Sequence, residues 1–364
     1  VTDLAVSLLT LGDPATMTGG YLYHRRVADR APRFGARVDF VSLPSWRFPL
    51  PALAGATMLR RIRAAAPDVL LVDSIVAGLA GPWLAATRGL PPIAAILHQP
   101  PGGIDHASGR QRAQASLDRA FYKRVRRMIV ASEDLANTLR GQGFDPALLA
   151  VVPPGRDAAA EPVDPPGDLR QGRQVAILSV GNWMARKGLL DLLEAFSNLP
   201  PGAATLHLVG DETVEPGYAA RVRARLRRPD LRDRVVTHGV VTPAEVAGFY
   251  RRADVFALAS TREPYGTVYG EAMAAGLPVV GWNAGNLPHL ATHGVEGLAV
   301  PPGDRVALTA ALLRLATDDA YRTAMATAAR RKADTFPTWD DTSRMLFTEL
   351  RALAEHTTVR EAQP

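Results

Sequence analysis

Cysteine is missing from all 364 positions of this chain, which removes disulfide staples, thiolate metal ligands and thiol nucleophiles at once. Lysine is nearly missing as well: three lysines stand against 39 arginines, so part of the formal charge of +6 reflects arginine usage rather than a basic function. Aromatic residues make up only 6% and are not interleaved with the basic ones as stacking platforms, which argues against nucleic-acid binding. No apolar run reaches about 18 residues, so no membrane-spanning helix is expected. The chain opens directly on a strand-like Leu4–Leu9 with no leader pattern, and a cytoplasmic enzyme is the simplest expectation.

What is present suits a folded two-domain protein: 47% hydrophobic residues, 21% charged, and enough length for two cores. Strand-like runs at residues 4–9, 37–43, 69–72, 93–97, 128–131 and 149–152 alternate with helical stretches at 21–33, 54–66, 75–88, 110–127 and 133–141, the rhythm of a parallel sheet covered on both faces. A Pro- and Gly-rich stretch from Pro153 to Gly167 breaks that rhythm and reads as a hinge. Strand-like runs resume at 175–180, 205–209, 235–238, 255–258, 278–281 and 298–300, and amphipathic helices follow at 304–316, 319–333 and 339–356. The expected class is α/β: a Rossmann-like domain over 1–153, a hinge over 154–173 and a second Rossmann-like domain over 174–338, with a cleft between them.

Charge is uneven along the chain. Residues 1–150 carry 18 basic against 11 acidic side chains, and the remainder 24 against 25. The excess concentrates on a predicted helix over 109–127, where Arg112, Arg119, Lys123, Arg126 and Arg127 share a side. A solvated face, an anionic membrane surface and an anionic acceptor all fit it. The loop Ser45–Leu53, expected beside the cleft, with Trp46, Phe48, Leu50 and Leu53, could enter a bilayer, line an apolar acceptor pocket or cover the core, and core cover is the first expectation.

The chemistry concentrates in two segments. In residues 260–303 two carboxylates, Glu263 and Glu271, stand eight positions apart around a Gly-containing turn, the first at the carboxyl end of a strand and the second inside the following helix. Backbone N–H groups from Pro264 to Val268, at Tyr265, Gly266, Thr267 and Val268, and the positive helix end suit an anionic or hydroxyl-rich ligand. A carboxylate can accept from two neighbouring hydroxyls, so Glu263 could hold a sugar and Glu271 a ribose. Two ordinary surface glutamates are the alternative. The second segment, Ser179-Val-Gly-Asn-Trp-Met-Ala-Arg-Lys-Gly188, runs off a strand into a helix and presents Arg186 and Lys187, cations able to stabilise a departing diphosphate. Two weaker features lie upstream: the Thr18-Gly19-Gly20-Tyr21 turn, where backbone can approach a phosphate closely, and His98 at the end of the fourth strand.

The segment 260–303, with EAMAAGLPVV and GLAVPPGD, resembles the signature of the retaining glycosyltransferases of family four, over about Val175–Phe336. The resemblance implies a GT-B fold, a nucleoside-diphosphate sugar (UDP-, GDP- or ADP-sugar) as donor, no cofactor, and a final helix packing back on the N-terminal domain over about 339–358. It implies Glu263 beside the donor sugar, Glu271 on the ribose, base contacts near Gly239–Thr242 including Val240, and a sugar-contacting role for His98. Lys187 carries over to the leaving group; the family's Arg does not, because Asn182 stands in its place, and Arg186 is expected to supply the second cation. His289 replaces a common acidic residue. No D-x-D sequence occurs, so no metal is expected to clamp the diphosphate. The expected reaction is a metal-independent, front-face transfer to a small-molecule, glycan or lipid hydroxyl, with peripheral contact at the inner membrane face compatible with it. The alternatives are a nucleotide-sugar epimerase or hydrolase, or a catalytically silent binding subunit.

Overall fold

The computed structural model describes residues 3–14, 19–46, 48–104, 108–156, 161–165 and 167–361. Thr18, Arg47 and, within the expected hinge, residues 157–160 and 166 lie outside them. The chain divides into two compact units, Val1–Gly155 with Pro337–Pro364, and Arg156–Phe336.

In the first unit the strands are β1 (Leu4–Leu11), β2 (Ala36–Leu43), β3 (Val69–Asp73), β4 (Ile93–Leu97), β5 (Arg127–Val130) and β6 (Leu149–Val151). The helices between them are α1 (Gly19–Arg30), α2 (Gly55–Ala65), α3 (Ala77–Ala86), α4 (Ser108–Tyr122) and α5 (Glu133–Gly141). The sheet is wholly parallel in the order β2-β1-β3-β4-β5-β6. Its central strands are apolar on both faces because helices cover both; every residue of Val69–Asp73 is buried. Helix α5 starts where Ser132 Oγ accepts from Leu135 N–H, and it turns Leu135, Ala136 and Leu139 inward.

The basic stretch 109–127 is not one helix. Helix α4 ends at Tyr122, and Lys123, Arg126 and Arg127 lie beyond it. Phe121, Tyr122 and Val125 are buried, and the chain must turn there to bury Met128, Ile129 and Val130 in β5. Arg127 opens that strand and pairs with Glu349 at 2.6 Å, so its charge is used internally.

The second unit has the strands β7 (Val175–Val180), β8 (Ala204–Val209), β9 (Val235–Gly239), β10 (Val255–Leu258), β11 (Val279–Trp282) and β12 (Gly297–Val300). Its helices are α6 (Leu189–Ser197), α7 (Pro216–Leu226), α8 (Pro243–Arg252), α9 (Thr267–Ala274), α10 (Leu287–Leu290), α11 (Arg305–Thr317) and α12 (Asp319–Ala333). This sheet is also parallel, ordered β12-β11-β10-β7-β8-β9, so the winding reverses between β7 and β10. Of the stretch 154–173, Val163 N–H bonds to Ala244 O and Leu169 is buried in this unit's core.

Helix α13 (Trp339–Glu361) belongs to the first unit. Trp339, Leu346, Phe347 and Leu350 are buried against Leu4, Val6 and Ile96, each such side chain contributing roughly 1.5–3 kcal/mol. The outgoing chain at Gly155 touches the incoming one so closely that a Cβ on Gly155 would lie 2.3 Å from Trp339 N. Among the described residues no helix is long and apolar enough to cross a membrane.

Candidate functional site

In an open parallel sheet, ligands bind beyond the carboxyl ends of the strands where the winding reverses. In the second unit those strands are β7 and β10, and the two sequence-selected segments leave from their ends. After β7 the chain makes a single 3-10 turn, Ala185–Lys187, closed by Gly188 at φ 68°. A Cβ on Gly188 would sit 1.9 Å from Ala259 O, so only glycine allows this turn to lie on the end of β10. Thr261 N–H and Ser260 Oγ both donate to Arg186 O, at 2.9 and 3.0 Å, and fix the turn there.

This packing brings Arg186, Lys187 and Glu263 into one cluster. Glu263 Oε1 lies 2.6 Å from Lys187 Nζ, 2.9 Å from Arg186 Nη1 and 3.3 Å from Ser260 Oγ. Sequence reasoning selected all three but assigned the cations to one ligand group and the carboxylate to another; the fold pairs them directly. Beneath them lies a residue that the sequence reading missed. Asn286, buried, donates its N–H to Glu263 O at 3.0 Å and its Nδ2–H to Tyr265 O at 2.7 Å, holding the loop from below. Burial pushes the Tyr265 hydroxyl up to about 12.

Glu271 has a different partner. Tyr250 of α8, buried, donates to Glu271 Oε2 at 3.0 Å. Burial, then the Glu271 charge, raises the Tyr250 hydroxyl far above its ordinary range, so it stays a donor. Helix α9 is capped by Gly266 at φ 81°, and its first N–H groups, at Thr267 and Val268, have no backbone acceptor among the described residues. Of the other selected residues, Asn182 Oδ1 accepts from Asp211 N–H at 3.2 Å, Val240 is exposed beyond β9, and His289 is exposed on the last turn of α10. Asn182 thus organises a loop, and the structure brings neither Val240 nor His289 into the Lys187 cluster.

In the first unit a second polar cluster lies at the ends of β3 and β4. His98 Nε2 is 3.0 Å from Nε2 of His24 on α1, and His24 Nδ1 is 3.7 Å from Asp73 Oδ2. Asp73 accepts from Thr10 Oγ1, Ser74 Oγ and Ile75 N–H, at 3.1, 3.2 and 3.2 Å. Gly20 lies so near that a Cβ would meet the His98 ring at 3.3 Å, and its neighbour Gly19 opens α1. Burial lowers His24 to about 3 and His98 to about 4, so both rings are neutral at ordinary pH. Sequence reasoning found His98 and the glycines but neither His24 nor Asp73.

The loop after β2 corrects another expectation. Phe48 covers the core, whereas Trp46, Leu50 and Leu53 are 54%, 50% and 73% exposed. The guanidinium of Arg110, on α4, stacks 5.2 Å from the Phe48 ring, so the apolar loop and the basic helix meet. Farther along α4, Arg112 and Arg119 line a cavity of about 360 Å³ with Pro101, Gln111 and Ala115.

Comparison with known proteins agrees with this architecture. Residues 174–318 match the family model described as glycosyl transferases group 1, and residues 5–160 match that of glycosyltransferase family 4. A D-inositol 3-phosphate glycosyltransferase from Xylanimonas cellulosilytica is 30% identical over 300 residues, covering 77% of this chain and 70% of that protein. Sucrose-phosphate synthase from Thermosynechococcus elongatus superimposes with a TM-score of 0.82 at 20% identity, over 96% of this chain and 99% of that one. Anabaena HepE, solved with UDP and glucose, superimposes with a TM-score of 0.75 at 21% identity, over 95% and 99%. Two parallel six-stranded units, both family matches and a relative aligned over most of its length lead to one conclusion: the chain belongs to glycosyltransferase family 4 and is a glycosyltransferase with the GT-B fold.

Proposed function

We propose that this enzyme moves a sugar from a nucleoside-diphosphate donor to an acceptor hydroxyl with retention of anomeric configuration and without a metal ion. The observation that carries this reading is the Lys187–Glu263 contact at 2.6 Å, with Arg186 alongside, at the strand ends where the sheet reverses. It joins the two kinds of group that donor chemistry needs: cations for a diphosphate and a carboxylate for sugar hydroxyls. HepE, of the same fold, binds UDP and UDP-glucose, which supports a uridine donor as the first to test.

In this reading Lys187 and Arg186 meet the diphosphate, aided by the N–H groups of Tyr265, Gly266, Thr267 and Val268. Glu263 turns to the sugar and Glu271, oriented by Tyr250, to the ribose. The family resemblance assigns Gly19, Gly20 and His98 to the sugar; the Gly239–Thr242 backbone with Val240 borders the base, and Asn182 shapes the adjoining loop. The bond from C1 to the diphosphate oxygen breaks with its electron pair leaving on that oxygen, where the cations stabilise it. The acceptor oxygen then bonds C1 on the same face, and its proton passes to the departing oxygen. Charge stabilisation that a metal could supply is assigned to the side chains and the α9 terminus.

The acceptor is proposed to be anionic or to lie at an anionic surface, since Arg112 and Arg119 border a cavity three residues from His98 in sequence, at Pro101. The decisive experiment screens UDP, GDP, ADP and TDP and their sugars by thermal shift, with and without magnesium, and then follows turnover and product anomer. Stabilisation without magnesium and a retained anomer support the proposal; inversion, or dependence on magnesium, overturns it.

A further inference from the structure

The buried His24 and Asp73 have no part in the reaction as proposed, yet they stand behind a residue that does. Two imidazole nitrogens 3.0 Å apart, Nε2 of His98 and Nε2 of His24, cannot both be protonated or both be bare and still hydrogen-bond. One donates and the other accepts, so the His24 tautomer decides which His98 nitrogen is left without a proton. His24 is wholly buried, and its Nδ1 has no hydrogen-bond partner among the described residues. The nearest charged group facing that atom is Asp73 Oδ2 at 3.7 Å. Asp73 is held as an acceptor by three donors, Thr10, Ser74 and the Ile75 N–H, and Ser74 Oγ in turn accepts from His98 N–H at 3.4 Å. A proton on His24 Nδ1 faces that oxygen favourably, whereas a lone pair there faces it unfavourably. His24 Nε2 is then bare and accepts from His98 Nε2–H.

We infer that His24 and Asp73 are positioning residues that fix the tautomer of His98, leaving its Nδ1 as a bare acceptor for a hydroxyl of the bound sugar or acceptor. The groups that hold the arrangement are in place: Tyr23 packs edge-on to His98 with centroids 5.0 Å apart, and Gly20 lies close enough that a Cβ there would meet the His98 ring at 3.3 Å. Burial raises the Asp73 carboxyl while its donors and His98 pull the other way. The two histidines remain neutral, which is the condition under which a tautomer choice exists. A ligand group that meets His98 must therefore be a donor, and a carbonyl or carboxylate there would be rejected.

The inference rests on the proposed contact between His98 and the sugar, and the test separates the two. In protein carrying 15N-histidine at pH 7.5, two-bond nitrogen–proton correlation spectra, with His98 assigned by its loss in His98→Gln, should show His98 Nδ1 bare and His24 Nδ1 protonated. A protonated His98 Nδ1 in the unmutated protein overturns the inference; the variant serves only to assign the signal, and His24→Gln gives the assignment by difference should His98→Gln fail to fold. In Asp73→Asn the amide can donate to His24 Nδ1, so the chain of protons reverses and His98 Nδ1 should become protonated. Turnover should then fall roughly tenfold or more, with the donor KM within about twofold. Unchanged turnover in Asp73→Asn also overturns it. Full turnover in His98→Ala would sink the placement of His98 beside the sugar, while the spectra, taken without substrate, would still report the tautomer.

Discussion

Lys187 Nζ lies 2.6 Å from Glu263 Oε1, and the two side chains are only 11% and 10% exposed. A pair this sheltered is costly to break, because the surviving partner keeps its charge in a poorly solvated place. Arg186 remains to share the load at 2.9 Å. Lys187→Ala should therefore cost about 1–3 kcal/mol of stability and lower turnover about 10²- to 10³-fold, whereas Lys187→Arg should recover more stability than activity. Calorimetry beside a turnover assay checks both; an active Lys187→Ala enzyme would remove the leaving-group role.

Tyr250 gives Glu271 a fixed orientation through one hydrogen bond of 3.0 Å. Tyr250→Phe should cost roughly 1.5–3 kcal/mol, since the lost bond is to a charged acceptor. The donor KM should rise more than kcat falls, because a ribose contact is made equally in ground and transition states. Steady-state kinetics against donor concentration reads the split, and a pure kcat effect would contradict the ribose assignment.

Asn286 holds the Glu263 loop through Glu263 O and Tyr265 O. Asn286→Ala keeps the backbone N–H bond to Glu263 O but leaves Tyr265 O without its side-chain donor, an expected cost of about 1–3 kcal/mol, with weaker nucleotide-sugar binding although Asn286 is assigned no ligand contact. Unaltered binding in calorimetric titration would mean that the loop is held by its other contacts.

Acid should destabilise the fold before carboxylates protonate. Burial holds His24 at about 3 and His98 and His238 at about 4, and lowers His207 as well. Unfolded histidines bind protons near 6.5, so between roughly pH 6.5 and 4 the unfolded state holds more protons and stability falls as pH falls. Below about 4 the native rings protonate too and this contribution levels off. Asp73 and Asp118, raised by burial, act in the opposite sense, their contribution disappearing as pH rises through their folded values. Urea midpoints at several pH values should decline on acidification and decline less in His238→Phe; an identical slope would exclude the His207–His238 pair, 3.0 Å apart, as a source.

Trp46, Leu50 and Leu53 project beside a helix bearing Arg110, Arg112 and Arg119. Sedimentation with vesicles should show binding to phosphatidylglycerol, little to phosphatidylcholine, and loss on Leu53→Ser or at high salt. Equal binding to both lipids would leave only the apolar contact, and no binding would assign the arginines to a soluble anionic acceptor.

Much of this was legible in residue order. Each central strand is a short apolar run between glycines, prolines and caps, so periodicity and punctuation locate β3, β7 or β10 without a structure. Glu263, Glu271 and Lys187 were legible because each sits in a local pattern tied to a strand end. The end of α4 was not: arginines continue at helical spacing past Tyr122, and only the need to bury Met128–Val130 shows that the helix has stopped. Trp46, Leu50 and Leu53 read as core because apolar character says nothing about which side of a loop faces water.

The sequence by itself determined the βα alternation, two units and the family signature, since those depend on contacts and patterns within a few dozen residues. Tertiary structure alone decided which groups touch. His24 and His98 are 74 positions apart, Arg186 and Glu263 77, and Asn286 reaches back 21 to Tyr265. Such pairs leave no spacing rule in the chain, because parallel strands with crossover helices bring distant segments together at one sheet edge, and the order of the strands sets which ones meet.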